Sequence, residues 1–206
     1  LPSSLKVGVM VNASELVSAS SLEDALVSLF PKNAEESKVD LVRIACHVHE
    51  FEHALPACKW LKDRGFLVGF NLMQVAERSQ AEVEALALAA SKYDIDALYF
   101  ADSMGSMGPE QCKTIITWFK KHWNGAIGIH THDNMGKALQ NTLTAIEEGV
   151  TWLDATVTGM GRGPGNARTE ELVIEVAALQ NKSVNLVPLM AVIRSYFQPL
   201  KNKCGW

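Results

Sequence analysis

Apolar and polar positions along the chain alternate between two rhythms. Short apolar runs at 6–12, 41–47, 67–74, 97–103, 126–134 and 152–159 are rich in Val, Ile, Leu and aromatic residues. Each is bounded by Gly, Asp, Asn or Lys, the pattern of buried strands. The stretches between them carry helical signals. Ser21 followed by Asp24 predicts a capped start before 25–30. The segment 50–64 ends at Gly65, 79–92 is rich in Ala and Glu, and Pro109 introduces 110–122. Further helices are expected over 136–148, 169–180 and 187–200.

Strand–helix alternation with nearly continuous apolar strands predicts an α/β fold, a parallel sheet covered by helices. Gly69 to Tyr99 spans 30 positions, Tyr99 to Ile129 another 30, and Ile129 to Asp154 spans 25, with no linker between. Such pacing suits a (β/α)8 TIM barrel and one domain over 1–206. A closed barrel needs eight strands and about 250 residues. Six runs in 206 residues leave two readings, a barrel with six β/α units present or an open doubly wound sheet.

Within the strands, residues two apart share a face. His130 and His132 therefore project together from the C-terminal end of a strand, where parallel α/β folds place their active sites. The small Ala126 and Gly128 share that face, so the pattern predicts open space there. Two imidazoles so placed are half of a divalent-metal site. The plainer alternative is a hydrogen-bonded structural pair. Polar rows recur at Arg43–Ala45–His47, Gly69–Asn71–Met73 and Asp154–Thr156–Thr158, opposite apolar rows. Arg43 and Asp154 suit either substrate binding or an internal ion pair, since a buried arginine needs a partner.

The loop GMGRGPGN over 159–166 has four glycines and Arg162. It is no dinucleotide fingerprint, because it follows the last strand and lacks GxGxxG. It suits a phosphate cradle or a tight turn, and Asn166 suits a helix cap or a metal ligand. Asp102 closes another strand, where it either orients a ligand or caps the turn.

Composition narrows the classes. The chain is 48% hydrophobic and 20% charged, with net charge −4, so nucleic acid is not an expected partner. No apolar run reaches the roughly 20 residues of a membrane helix. The four cysteines are irregularly spaced, which fits reduced, buried thiols and a cytoplasmic setting rather than a disulfide framework. The chain begins at Leu1 rather than Met, which suggests a trimmed N-terminus.

Taken together, VDLVRIACH, FLVGFNLMQ, ALYFADSMG and HTHDNMGKAL…GMGRGPGN resemble the pyruvate-dependent metal aldolase and synthase TIM barrels, the superfamily of HMG-CoA lyase. The 4-hydroxy-2-oxovalerate aldolase branch is the nearest. The resemblance implies a divalent metal, Mn²⁺ or Mg²⁺, held by His130 and His132 with Asn166 close by. It implies a carbon–carbon lyase acting on a small-molecule 2-oxo acid and an aldehyde, with Asn71, Thr156 and Asp102 as substrate contacts and Arg43 as a catalytic group. A homo-oligomer or a partner dehydrogenase is among the assemblies it suggests. The family's opening strand, with its Arg, Asp ligand and base, has no counterpart before Lys6, so the first two units are expected to be missing. His47 is then the histidine available as a substitute base. The loop lacks the cysteine of the HMG-CoA lyases, and no lysine is placed as a carbamylated ligand of a carboxyltransferase. A Claisen-type synthase and an inactive barrel fragment are the competing readings.

Overall fold

The computed structural model describes residue 2 and residues 4–206. Six strands, β1 (Gly8–Asn12), β2 (Leu41–Cys46), β3 (Leu67–Leu72), β4 (Ala97–Asp102), β5 (Ile127–Thr131) and β6 (Trp152–Leu153), lie side by side in chain order, and every pair is parallel. Among the described residues the order never reverses and no topological switch point occurs, so the doubly wound alternative fails.

The sheet is strongly curled. Arg43 on β2 and Asp154 just beyond β6 are four strand spacings apart, roughly 19 Å in a flat sheet. Their side chains meet at 2.6 Å. Only a sheet bent like a barrel wall brings them together. β1 and β6 do not pair among the described residues, so the barrel is not closed.

Each crossover is helical. Helices α1 (Ala13–Val17) and α2 (Leu22–Leu29) follow β1. Ser21 caps α2 by accepting from the Asp24 amide at 3.2 Å. Helices α3 (Phe51–Ala54) and α4 (Pro56–Asp63) follow β2, joined through Leu55, whose backbone stays helical. Helix α5 (Gln80–Ala90) opens with a reciprocal capping box between Ser79 and Glu82, worth about 1 kcal/mol. Helix α6 (Pro109–Lys120) places its proline in the first turn, where no amide partner is lost. Helices α7 (Ala138–Glu147) and α8 (Thr169–Leu179) complete the units, and α9 (Val187–Val192) runs through a π-helical turn at Ile193–Phe197 into α10 (Gln198–Cys204). The five-residue α1 was not foreseen from the sequence.

The helix-facing strand residues make the core. Val42, Ile44, Val68, Phe70, Leu98, Phe100 and Ile129 are all buried, packed under Phe51, Leu61, Val83, Ile116 and Phe119. Cys46, Cys58 and Cys112 are buried within it as free thiols, and Cys204 is exposed. Burial pushes the Cys58 and Cys112 thiols up to about 12, so none of this buried set is a ready nucleophile.

The sixth strand departs from expectation. Strand geometry stops at Leu153, and the chain turns through a 3₁₀ segment at Val157–Gly159. Thr158 there adopts a left-handed conformation (φ 58°), which breaks the alternation predicted for Asp154, Thr156 and Thr158. A β-branched residue in this region is strained. It is held by Glu170, which accepts its amide at 3.0 Å, and by the Trp206 indole, which donates to its hydroxyl at 3.1 Å.

Candidate active site

Strand register defines a concave inner face. Arg43 pairs across to Gly69, Asn71 to Tyr99, Tyr99 to Gly128, and Gly128 to Trp152, so all these residues point to the side away from the helices. Glycines occur here because Tyr99 needs the room. A Cβ on Gly128 would lie 2.3 Å from the Tyr99 ring. The space expected above Gly128 is therefore filled by an aromatic ring rather than open.

Tyr99 is the floor of a buried polar network. The Arg43 guanidinium lies 3.6 Å from its ring centroid, and Trp152 meets the ring edge-on at 6.2 Å. Arg43 donates to both Asp154 carboxylate oxygens, at 2.8 and 2.6 Å, and to Asn71 Oδ1 at 3.1 Å. Asp154 Oδ2 also lies 2.8 Å from His130 Nδ1. Burial, the largest influence, would raise the Asp154 pKa. Hydrogen bonds from His130 and Arg43, with their charges, outweigh it and hold the carboxyl below its ordinary value. Asp154 is thus ionised, and His130 Nδ1 is the protonated nitrogen that donates to it. In the neutral ring this tautomer leaves Nε2 with the lone pair a metal takes.

His132 lies one residue beyond β5, with its ring centroid 5.1 Å from that of His130 and the planes near perpendicular at 80°. Both rings are half-buried. Burial, then the neighbouring His130 and Arg162, lowers the pKa of His132 and favours its neutral form.

The glycine loop is stitched onto this strand end. Asp133 donates its amide to Gly165 O at 2.9 Å, Asn166 to Gly159 O at 3.1 Å, and His132 pairs with Asn166 in an isolated antiparallel bridge. A Cβ on Gly165 (φ 93°) would lie 1.9 Å from Gly159 O, and one on Gly161 would lie 2.4 Å from Asn166 Nδ2. Only glycine permits this fold-back. Its result is that Asn166 is buried, donates Nδ2 to Met160 O at 3.1 Å, and leaves Oδ1 buried without a partner. Asn166 does not cap α8, whose N-cap position is Arg168, with no side-chain cap.

Above the strand tips lies an open cleft of about 400 Å³, walled by His47, Gln74, Ser103, His132, Asn134 and Arg162. His47 reaches it from the end of β2, stacked on His49 at 5.7 Å. Asp102 does not reach it. Its register partner is Thr131, and both face the helices. Its carboxylate accepts the amides of Ser106 and Met107 at 3.1 Å each, and the residue is 1% exposed. The substrate role expected for Asp102 therefore gives way to capping of the turn. Arg43 and Asn71 lie in the network beneath the histidines, not in the cleft wall. Thr156 Oγ1 is buried and unpartnered where the chain leaves β6. Tyr99 and Trp152 were missed from the sequence, where aromatic residues inside strands look like any core residue.

A divalent metal is the group this arrangement fits. An imidazole backed by a carboxylate and a second imidazole share one strand end, and Asn166, bridged to His132, has an orphaned buried amide oxygen; these are the donor types such ions take. No group of three His, Cys, Asp or Glu side chains around one point occurs among the described residues.

Curled parallel strands carrying a histidine pair and a glycine loop at their C-terminal tips have the arrangement of an α/β barrel wall with its candidate site at the strand ends. Comparison with known proteins then fixes the family. The HMGL-like profile matches residues 34–194, and the chain belongs to the HMGL-like family. It is 37% identical over 161 residues to 4-hydroxy-2-oxovalerate aldolase of Carboxydothermus hydrogenoformans, covering 77% of this chain and 48% of that protein. It is 32% identical over 168 residues to 4-hydroxy-2-oxovalerate aldolase 2 of Nocardia farcinica, covering 81% and 49%. The chain thus spans about half the length of the curated relatives it matches. Among solved structures, the N-terminal domain of a candidate aldolase from Bacteroides vulgatus superposes with a TM-score of 0.82 at 30% identity, over 98% of this chain and 65% of that one. A hydroxymethylglutaryl-CoA lyase from Pseudomonas aeruginosa shares the fold, with a TM-score of 0.73 at 16% identity over 98% and 71%.

Proposed function

We propose that this chain carries the pyruvate-handling part of a divalent-metal-dependent aldolase, a lyase acting on 4-hydroxy-2-oxo acids. The observation that carries the reading is the His130–His132 pair at one strand tip, with Asn166 bridged to His132 through the backbone and its side-chain oxygen unpartnered. Mn²⁺ or Mg²⁺ bound there supplies Lewis-acid polarisation of the 2-oxo acid carbonyl.

The chain's own residues set up that chemistry. Asp154 fixes His130 with Nε2 free, and Arg43 fixes Asp154. Arg43 is therefore a positioning residue in this account, not a group that touches substrate, and Asn71 steadies it. Thr156 Oγ1, buried and unpartnered beyond β6, is a substrate contact in this reading only if the site opens toward it. His47 shares the cleft wall with His132 and is the residue placed to move a proton there. The buried thiols suit a reducing, cytoplasmic compartment. No described helix is long and apolar enough to cross a membrane.

The similarity to named 4-hydroxy-2-oxovalerate aldolases favours this over a Claisen-type synthase. The test is pyruvate release from 4-hydroxy-2-oxopentanoate by the full natural chain with Mn²⁺. Release supports the assignment. Free-thiol release from acetyl-CoA with a 2-oxo acid, without aldol cleavage, replaces it by the synthase.

A further inference from the structure

Methionine recurs along the strand-end face. Met73, Met104, Met135 and Met160 follow β3, β4, β5 and β6, one in each loop. Met73 and Met104 wall the cleft together with His132 and Arg162. The strands lie side by side in chain order, which sets where each tip stands. Met104 follows the strand next to the one tipped by His132, and Met73 follows the strand beyond that, about 5 and 10 Å along the sheet. Arg162 comes from the opposite side, after β6, and its charge acts on His132. The cleft thus has a charged side at β5 and β6 and a thioether side at β3 and β4. The backbone under both methionines is tied down. Met73 donates its amide to Cys46 O at 2.9 Å, and Gln74 donates its amide to Ser103 Oγ at 3.0 Å. Met107 anchors the β4 loop in the core at 0% exposure, whereas Met104 is 54% exposed, so packing of the fold does not account for Met104. A flexible thioether on a fixed loop is an adaptable apolar contact.

We propose that Met73 and Met104 set the specificity for the aldehyde partner by packing its alkyl chain, so that the site takes neutral, unbranched aldehydes longer than acetaldehyde. The inference rests on the aldolase reading and deepens it. In the addition direction, pyruvate C3 gives up a proton, its electron pair forms the bond to the aldehyde carbon, and the aldehyde oxygen takes up a proton. The reverse direction breaks the same bond. With pyruvate on the His132 side, the alkyl chain has the two thioethers at the tips of β4 and β3 to lie against. Small-molecule sites join a few orienting polar groups to apolar surface, and the two sides of this cleft supply one each. Its volume of about 400 Å³ holds pyruvate together with a short alkyl chain. Each further methylene packed there gains roughly two- to fourfold in kcat/KM. An anionic chain end gains nothing on this side, because a thioether donates no hydrogen bond.

The test uses the full natural chain loaded with Mn²⁺. Aldol addition of pyruvate is measured with acetaldehyde, propanal and butanal. The proposal expects kcat/KM to rise along the series in the wild type. The butanal-to-acetaldehyde ratio should collapse towards one in Met73→Gln or Met104→Gln, which keep the length of the side chain but make its end polar. Met104→Leu, still apolar, should keep the rise. A readout independent of turnover is chloramine-T oxidation of the wild type with Mg²⁺ in place of Mn²⁺, followed by mass spectrometry of the methionine sulfoxides. The probe 2-oxoheptanoate lacks the 4-hydroxyl and cannot be cleaved. It should slow oxidation of Met104 severalfold, and pyruvate should not. Met135 and Met160, 55% and 42% exposed but outside the cleft wall, should oxidise at an unchanged rate. A flat series in the wild type, a rise unchanged in both glutamine variants, or a Met104 that 2-oxoheptanoate leaves unprotected overturns the proposal. Exchange of pyruvate methyl protons in D₂O by the wild type separates the two levels. Exchange without a rise along the series refutes the methionine assignment alone, whereas no exchange and no addition refutes the aldolase reading and this inference with it.

Discussion

Replacing Asp154 by Asn removes one negative charge from a place where two other groups depend on it. The substitution preserves shape, so its effect is electrostatic. Arg43 keeps its position, with a side chain only 11% exposed, but loses one of the oxygens at 2.8 and 2.6 Å, gains an NH₂ donor facing its own, and loses the charge that balances it. Breaking a buried ion pair from one side costs about 3–5 kcal/mol. Asp154 is 23% exposed, so water relieves part of this and the lower end, about 3 kcal/mol, is expected. Against a domain stability of about 5–15 kcal/mol this is easily measured by urea unfolding followed by circular dichroism. The substitution also takes away the negative charge that backs His130 and leaves one amide oxygen for His130 and Arg43 to share, which should weaken Mn²⁺ binding roughly 10- to 100-fold. The double variant Arg43→Met, Asp154→Leu should regain stability, because it leaves no buried charge alone, but should not regain the metal. The pH dependence has a definite sign. The Asp154 pKa is depressed in the folded state, so its contribution is complete above the usual carboxylate range and is lost as pH falls through the depressed value. Asp154→Asn should therefore flatten the acid limb of the stability curve. A loss below about 1 kcal/mol, with an unchanged acid limb, would refute the idea that this carboxylate organises the barrel interior.

Other outcomes follow from the same geometry. Gly165→Ala should cost at least about 2 kcal/mol by differential scanning calorimetry, because its Cβ has no room beside Gly159 O. Gly128→Ala should cost about 1–3 kcal/mol and perturb the near-ultraviolet signal of Tyr99 and Trp152, since the Tyr99 ring must move. Titration of the native protein with a thiol reagent should modify Cys204 at once, while Cys46, Cys58 and Cys112 react only on unfolding.

Much of this architecture was legible in the residue pattern because parallel strands buried on both sides leave a strong signature. All six runs became strands, and Ser21 and Ser79 mark helix starts where side-chain caps form. The pairing of Arg43 with Asp154 was foreseen as an alternative, since alternation alone put both residues on the inner face. The limits are equally physical. β6 ends early because Thr158 takes a left-handed turn that no local propensity announces in a β-branched residue. Asp102 sits one position out of phase with the inner face, a distinction that needs the register with Thr131. Tyr99 is a site residue only because Gly128 on the neighbouring strand leaves space for it, and such cross-strand complementarity has no trace in one strand's sequence.

The account stands on the pair of imidazoles at the tip of β5. Its most direct test is Mn²⁺ titration of the full natural chain, followed by electron paramagnetic resonance, in wild type, His130→Ala and His132→Ala. The account predicts one saturable site in the wild type that weakens by at least about 100-fold in each variant, the loss of a primary ligand being no smaller than that of its supporting carboxylate. Mn²⁺ binding that is equally tight in both variants would contradict it.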